Sequence, residues 1–463
     1  MGKQKIIIGI NSGAEYIILD ELGRGGQGRV FSVYGGKYAF KLIGKKSSKK
    51  AQLLTRKISY IKTRPLEDLP ISKPIEQVEG EALGYIMEIA TDMIPMQLLI
   101  KPEGDFLEWW NQTGGLKKRL LILRKVANTL KTLHSRGLVY GDFSFSNIFV
   151  SEEKDYSEIF FIDTDNITHD SKIGTAVYTP GYAAPEIIQT EDHQASSGYD
   201  TYTDIYSFAI IAYQLLTLNH PFIGDYVNDG DPELEEKAYL GEIPWVNHSS
   251  DDINNTQSGI PSSLTISKKM MEAFQKTFEP GIIDSRSRVT TGKWMEILSG
   301  AIDALIECPN TSCGKDFFFN KELTCPFCEQ KSNYVGFADI HPLVKPILED
   351  VKYNYSVGLE NVQNIGSIIS RKIISPDKYL VFYEDDFLLN ASNRELFKIK
   401  IKDDSILIKG IGLKKVSIIS NKKFKQSVDI SSEVKGTFKG DFIIFFDDLK
   451  NYQRILKIKK YTT

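Results

Sequence analysis

Through the first ninety residues short apolar, β-like runs at 15–19, 30–33, 38–43 and 84–89 alternate with turn residues. That pattern marks the strands of a small sheet. One basic stretch, 47–62, departs from it and predicts a helix beside a small sheet. From residue 116 the pattern turns helical, and Leu120, Leu121, Leu123, Val126, Leu130 and Leu133 recur on roughly one face of a helix that stops at Gly137. Further helices are expected at 205–218, 266–278 and 292–305, interrupted by a Ser-, Asn- and Asp-rich loop at 247–263. Beyond about residue 340 the texture is β again, in runs at 379–383, 396–401, 406–408, 416–419, 442–446 and 455–458.

Composition adds boundaries. At 463 residues, 41% hydrophobic and 25% charged, the chain reads as two to four folded domains of about 100–200 residues each, and wholesale disorder is disfavoured. Lys+Arg 57 against Asp+Glu 60 argues against a protein built wholly to coat nucleic acid or anionic membrane. The balance is uneven, because residues 341–463 carry 22 basic and 15 acidic side chains, net +7, and residues 1–340 are net −10. The N-terminus has neither the apolar stretch of a secretory signal nor a myristoylation pattern. The longest uncharged stretch, between Asp204 and Asp225, holds Gln214, Asn219 and His220 and reads as a buried helix rather than a membrane span. A cytoplasmic protein without a membrane partner is expected.

Three clusters carry chemistry. Gly23, Gly25 and Gly28, in Gly-Arg-Gly-Gly-Gln-Gly-Arg-Val, fall between two predicted strands, the setting of a hairpin whose backbone amides approach phosphates. Tyr38-Ala39-Phe40-Lys41 then ends an alternating run in a lysine able to reach α- and β-phosphate oxygens. Further on, Tyr140-Gly141-Asp142-Phe143-Ser144-Phe145-Ser146-Asn147 and Phe160-Phe161-Ile162-Asp163-Thr164-Asp165 place oxygen donors of the hard kind that Mg²⁺ prefers behind apolar runs.

With these motifs in this order, residues 15–305 resemble the eukaryotic-like (Hanks-type) protein kinase family. The resemblance implies that Lys41 pairs the α/β-phosphates, that Asp142 orients or deprotonates the substrate hydroxyl, and that Asn147 and Asp163 hold Mg²⁺. It implies that Glu88 and Ala90, in Met-Glu-Ile-Ala, bond adenine through their backbone, and that Val30, Ala39 and Phe149 sandwich the ring. Ala184-Pro185-Glu186, Asp204 and Arg288 match later motifs that distinguish protein kinases, with Glu186 and Arg288 implied as a buried ion pair and Asp204 as a brace for the catalytic loop. Thr179 falls where the family positions peptide substrate.

Departures from the family pattern bear on activity. No acidic residue lies between Ser47 and Pro65 to pair Lys41, which leaves Gln52 or Asp163 as its partner. Tyr140-Gly141 replaces His-Arg, so an obligatory phosphorylated activation loop is not expected. Ser144 replaces a lysine near the transferred phosphate, which points to a slower enzyme or unusual substrates. Asp142, Asn147 and Asp163 survive, so an active kinase is favoured over a pseudokinase scaffold.

All four cysteines, Cys308, Cys313, Cys325 and Cys328, lie within twenty-one residues and resemble a zinc ribbon, four thiolates closing a structural Zn²⁺ site. Residues 340–463 read as an all-β unit, a sandwich or small barrel, whose Lys398, Lys400 and Lys402 and Lys422, Lys423 and Lys425 suit solvated strand faces better than a nucleic-acid groove. The expected fold is α+β: a bilobal kinase domain over 1–305 (small lobe 1–90, large lobe 91–305), a four-cysteine ribbon over 306–335 and an all-β domain over 340–463. ATP, Mg²⁺ and structural Zn²⁺ are the implied cofactors, and a protein is the implied substrate. The architecture, with Gly241-Glu242-Ile243-Pro244-Trp245 and Phe278-Glu279-Pro280-Gly281, further resembles soluble bacterial kinases of tellurite-resistance and stress-response clusters. That narrower likeness implies a metal-dependent Ser/Thr phosphatase and a von Willebrand A-type protein as partners.

Overall fold

Alternation along 38–42 puts Ala39 and Lys41 on one side of a strand and Phe40 and Leu42 on the other, and this division organises the first sheet. The computed structural model describes residues 5–25, 28–45, 49–169, 178–189, 199–342, 367–387, 394–420, 423–438, 442–446 and 454–462. Six antiparallel strands, β1 (Lys5–Ile8), β2 (Glu15–Gly25), β3 (Gly28–Val33), β4 (Tyr38–Lys45), β5 (Pro74–Gln77) and β6 (Ala82–Glu88), lie in the order β1-β2-β3-β4-β6-β5. On one face Phe40 packs with Val33, Val78 and Ile86. On the other, Ala39, Leu83, Tyr85 and Met87 meet Ile58 of the helix α1 (Lys49–Lys62). Lys41, opposite Tyr85, shares that second face.

Strand β5, like β1 too short to stand out in the sequence, is tied to the β1–β2 turn and the start of β2 by one carboxylate. Glu76 is 3% exposed and accepts hydrogen bonds from the backbone N–H of Asn11 and Ser12 (3.0 Å each), the Ser12 hydroxyl (2.5 Å) and the Tyr16 hydroxyl (2.7 Å). A Cβ on Gly9 would lie 2.3 Å from the Glu76 carboxyl carbon, so only glycine lets the chain pass there. Burial alone would raise the Glu76 carboxyl, yet the bonds donated by Ser12, Tyr16 and Asn11 outweigh it and hold it at about 2.

The following lobe is mainly helical. Its strands are β7 (Met93–Pro95), β8 (Leu138–Val139), β9 (Ile148–Ser151), β10 (Ile159–Phe161) and β11 (Thr168–His169), with β10-β9-β7 forming one small sheet and β11-β8 another. Helix α2 (Phe106–Gln112), capped by the Asp105 side chain on the Glu108 N–H, was not legible as a helix in the sequence. Helix α3 (Gly115–Ser135) buries Leu116, Leu120, Leu123, Val126, Leu130 and Leu133, close to the predicted stripe. After the short turn α4 (Pro185–Ile188) comes α5 (Thr201–Thr217), started by an Asp200 capping box and buried on nearly every side, as its uncharged sequence requires. Two sequence motifs meet beneath it, where Trp245 Nε1 donates to Glu279 Oε1 (3.0 Å) and the Trp245 and Phe278 rings stand 5.2 Å apart.

The chain divides into two compact units, Met1–Leu298 and Ser299–Thr463, and the four cysteines belong to the second. There Leu305–Glu307 pairs with Asp316–Phe318, and Cys308, Cys313 and Cys325 share a core with Phe317, Val335 and Ile373. The rest is two antiparallel sheets. One orders Ser370–Ile374, Tyr334–Pro342, Arg454–Thr462, Phe442–Phe446, Lys415–Ser420 and Lys423–Asp429; the other orders Tyr379–Tyr383, Glu395–Lys402, Ser405–Gly410 and Val434–Thr437. Ala338, Ile340, Ile444 and Ile458 from the first meet Phe382, Phe397, Ile399 and Ile406 from the second in one core, the arrangement of a sandwich. Lys398 and Lys400 project over the Tyr379 ring at 4.4 and 4.6 Å, and the side chains of Lys422 and Lys423 lie outside the described residues. No helix among the described residues is long and apolar enough to cross a membrane.

The Glu76 anchor makes acid stability testable. A carboxyl held at about 2 against an ordinary 4.5 contributes stability above pH 4.5 that is lost as pH falls toward 2. Thermal unfolding should therefore show wild type losing its advantage over Glu76→Gln across that window, and an advantage independent of pH would refute the anchoring role.

Candidate active site and candidate metal centre

An antiparallel hairpin returns to where it began, and the pairing of Ile148 with Phe161 therefore brings the start of β9 and the end of β10 together. Asn147 stands just before the first and Asp163 just after the second, and the Ile162 N–H donates to the Asn147 carbonyl (2.9 Å). Asn147 Nδ2 donates to the Asp142 carbonyl (2.7 Å), and its Oδ1 accepts from the Ser146 hydroxyl (3.4 Å). Asp163 has a left-handed backbone (φ 57°), tolerable for aspartate, and its Oδ1 lies 2.9 Å from Lys41 Nζ. Lys41 is only 2% exposed, so of the two partners left open by the sequence, Asp163 is in place. The side chain of Gln52 lies outside the described residues, as does that of Asp165.

The loop bearing Asp142 is shaped by one fully buried carboxylate. Asp204 accepts from the N–H of Tyr140 (2.8 Å) and Gly141 (3.0 Å), and its Oδ2 lies 3.0 Å from His134 Nε2. Gly141 has φ +89°, and a Cβ there would press on the Asn166 carbonyl at 3.3 Å, so the replacement of arginine by glycine suits this backbone. Tyr140 is fully buried, donates its hydroxyl to the Ile162 carbonyl and packs edge-on against Phe143 and Phe161. Asp142 accepts a bond from the Thr179 hydroxyl at Oδ1 (2.7 Å). The segment after Thr179 is held by His220, which takes the Phe222 N–H on Nδ1 (3.2 Å) and so donates from Nε2 to the Gly181 carbonyl (2.7 Å). Burial pushes His220 down to about 4, keeping it neutral near pH 7. Ser144 is buried, with its hydroxyl 2.9 Å from that of Ser146, and brings no cation to the site.

The other site residues fall as follows. Gly25 pairs with Gly28 and Gly23 with Val30 in the β2–β3 hairpin. A Cβ on Gly28, at φ +138°, would lie 2.4 Å from the Leu42 carbonyl, whereas nothing stands within 4 Å of one on Gly23. Val30 and Ala39 pack in one cluster with Met87 and Ile89, beside Glu88 and Ala90. Phe149 lies on β9, in the separate small sheet, opposite Pro95 and Phe160. Arg288 is fully buried and grips Glu186 bidentately at 2.6 and 2.8 Å, but the Glu186 side chain is 37% exposed, so the expected buried pair is buried on one side only. Two participants had no signal in the sequence: Ser72, whose hydroxyl donates to the Glu88 carbonyl (2.9 Å), and Thr164, whose hydroxyl donates to the Ser72 carbonyl.

In the second unit the four cysteine sulfurs lie within 4.8 Å of one another, with 3.5 Å between Cys308 and Cys328 and 3.9 Å between Cys313 and Cys325. Four thiolates around a tetrahedral cation at bonds of about 2.3 Å would stand about 3.8 Å apart, so the donor set fits a closed site. Two tight turns present them, closed by the Cys308 N–H on the Lys315 carbonyl (2.9 Å) and the Cys325 N–H on the Gln330 carbonyl (3.0 Å). Burial pushes the Cys308 and Cys313 thiols up, so a cation binding all four as thiolates displaces protons.

A family profile described as protein kinase domain matches residues 16–296. Among curated proteins the chain is 25% identical over 234 residues to the meiosis-specific serine/threonine-protein kinase mek1 of Schizosaccharomyces pombe, covering 47% of this chain and 50% of that one. It is 24% identical over 222 residues to probable serine/threonine-protein kinase 2 of Plasmodium falciparum, covering 46% and 40%. It is 27% identical over 259 residues to calcium/calmodulin-dependent protein kinase type 1 of Caenorhabditis briggsae, covering 54% and 67%. The chain thus spans about half the length of the first two of these relatives.

The left-handed turn at Gly141 sets a measurable cost. Gly141→Ala should lower unfolding free energy by about 1–3 kcal/mol in chemical denaturation. An unchanged midpoint and slope would mean the loop relaxes freely.

Proposed function

The chain belongs to the protein kinase family, and from that premise we propose that it is a Ser/Thr protein kinase, moving the γ-phosphoryl group of ATP to a protein hydroxyl with Mg²⁺ as cofactor. The observation carrying this reading is one connected set: Lys41 to Asp163, the Asp163 segment to Asn147, Asn147 to Asp142, and Asp142 to Thr179. Asp142 takes the proton of the attacking substrate hydroxyl; the oxygen of that hydroxyl bonds to the γ-phosphorus as the bond to the β,γ-bridging oxygen breaks, and ADP leaves. Thr179 orients the carboxylate by occupying Oδ1. Lys41 holds α- and β-phosphate oxygens, the β2–β3 hairpin covers the phosphates, and Val30, Ala39 and Phe149 flank an adenine bonded to the backbone of Glu88 and Ala90. Asn147 and Asp163 would hold Mg²⁺, which when bound neutralises charge on the phosphates.

Cys308, Cys313, Cys325 and Cys328 would hold a structural Zn²⁺, since four thiolates leave no open position for chemistry. We place the protein in a bacterial stress-response pathway, with a metal-dependent Ser/Thr phosphatase and a von Willebrand A-type protein as partners. The architecture supports this placement, and co-purification from the native host tests it. A scaffold that binds nucleotide without turnover is the second reading, motivated by Ser144 in place of a lysine.

Incubation with γ-labelled ATP and Mg²⁺ should label protein in wild type, with Asp142→Ala lowering the rate at least about 100-fold while ATP still raises the melting temperature. Wild-type turnover in that variant would remove Asp142 from its role, and no label in any form despite stabilisation by ATP would favour the scaffold. Cys313→Ser, or strong chelation, should release one equivalent of zinc by elemental analysis and melt the second unit early. Zinc-free purified protein of unchanged stability would refute the metal.

A further inference from the structure

The missing helix carboxylate leaves open what holds Asp163 in register with the nucleotide, and a line of hydrogen bonds supplies an answer. Residues 70–72 lie alongside Phe161: the Phe161 N–H donates to the Pro70 carbonyl (2.8 Å) and the Ser72 N–H to the Phe161 carbonyl (2.7 Å). From there two hydroxyls extend the line in opposite directions. Thr164, next to Asp163, donates to the Ser72 carbonyl, and Ser72 donates to the Glu88 carbonyl (2.9 Å). Both residues are 1% exposed, so neither hydroxyl can exchange its bond for water. On its far side the same segment is fixed by the Ile162 N–H on Asn147 and by Tyr140 on the Ile162 carbonyl.

We propose that Ser72 and Thr164 form a polar clip, a pair of positioning residues joining the adenine-side carbonyl of Glu88 to the metal-side Asp163. The clip makes grip on the base and grip on the metal-bound phosphates depend on each other. It assembles the nucleotide site without a carboxylate from α1, the helix that bears no acidic residue. The two hydroxyls divide the work. Removing that of Thr164 frees the metal side and leaves the Ser72 carbonyl buried without its donor; removing that of Ser72 frees the adenine side and leaves the Thr164 bond in place.

This inference rests on the nucleotide-binding reading above, and the test separates their failures by measuring binding instead of turnover. Calorimetric affinities for adenosine, for ATP with EDTA and for ATP with Mg²⁺ are compared across full-length wild type, Thr164→Val, Thr164→Ser, Ser72→Ala and Ser72→Thr, beside melting temperatures without ligand. Thr164→Val should lose about 10-fold in Mg²⁺–ATP affinity, the scale of one lost buried hydrogen bond, with adenosine affinity within about 2-fold of wild type. Thr164→Ser, which retains the donor, should restore it. Ser72→Ala should weaken adenosine itself by about 5- to 10-fold, with recovery in Ser72→Thr. Equal Mg²⁺–ATP affinities for Thr164→Val, Thr164→Ser and wild type overturn the clip, as does a uniform loss for all three ligands that follows the melting temperature. Wild type that binds none of them overturns the functional reading and the clip with it.

Discussion

A lysine ammonium only 2% exposed is not stable as a charge unless a carboxylate meets it, and in this chain that requirement decides how the site is built. Helix α1 offers no acid, so Lys41 meets Asp163, 122 residues further on and 2.9 Å away. The pairing fixes more than two side chains. It holds the end of β10 beneath β4, and through the β9–β10 hairpin it sets the position of Asn147 and the loop that carries Asp142. Under the proposed function the same Asp163 would also hold Mg²⁺, sharing its oxygens between an ammonium and a dication.

Around that pair, buried polar groups are answered one by one. Asp204 supplies two partners to the loop bearing Asp142 and a third to His134, and burial keeps His220 neutral, so that its Nδ1 can accept the Phe222 N–H while Nε2 donates to Gly181. Ser72 and Thr164 satisfy carbonyls that would otherwise be orphaned. Each network is costly if broken, because its members are shielded from water. Arg288 shows the gradation: its guanidinium is fully buried, yet Glu186 remains 37% exposed, so part of the pair's attraction is screened. The second unit meets the same constraint differently. Its cysteine segment packs Ile306, Phe317, Leu323 and Val335 with Ile373 in one core, and gathers four sulfurs at the spacing a tetrahedral cation requires.

Much of the fold was legible in the chain because period alone distinguishes half-buried strands from amphipathic helices. Strands β3 and β4, helices α1, α3 and α5, and most of the later β-runs stand near where the alternation put them. Strands β1 and β5 were not legible, being four residues each, and neither was α2, whose seven residues hold two adjacent tryptophans in place of a stripe. The order of motifs similarly brought Lys41, Asp142, Asn147 and Asp163 forward before any geometry was known, since each chemistry needs a particular donor type. Ser72 stayed invisible, because a serine before a strand has no distinguishing pattern.

The sequence by itself determined the kinds of groups available: glycines in a hairpin turn, a strand lysine, three oxygen-bearing residues in a set order, and four cysteines within twenty-one residues. It also showed, by the missing acid in α1, that Lys41 needed another partner. Only the tertiary structure brought Asp163 to Lys41, gave Asp204 its three partners, and linked Thr164 to Glu88 through Ser72. The physical reason is range. Periodicity and turn chemistry act over a few residues and are written locally, whereas a buried charge or hydroxyl is satisfied by whatever the folded chain brings within 3 Å, at separations of 16 to 122 residues here.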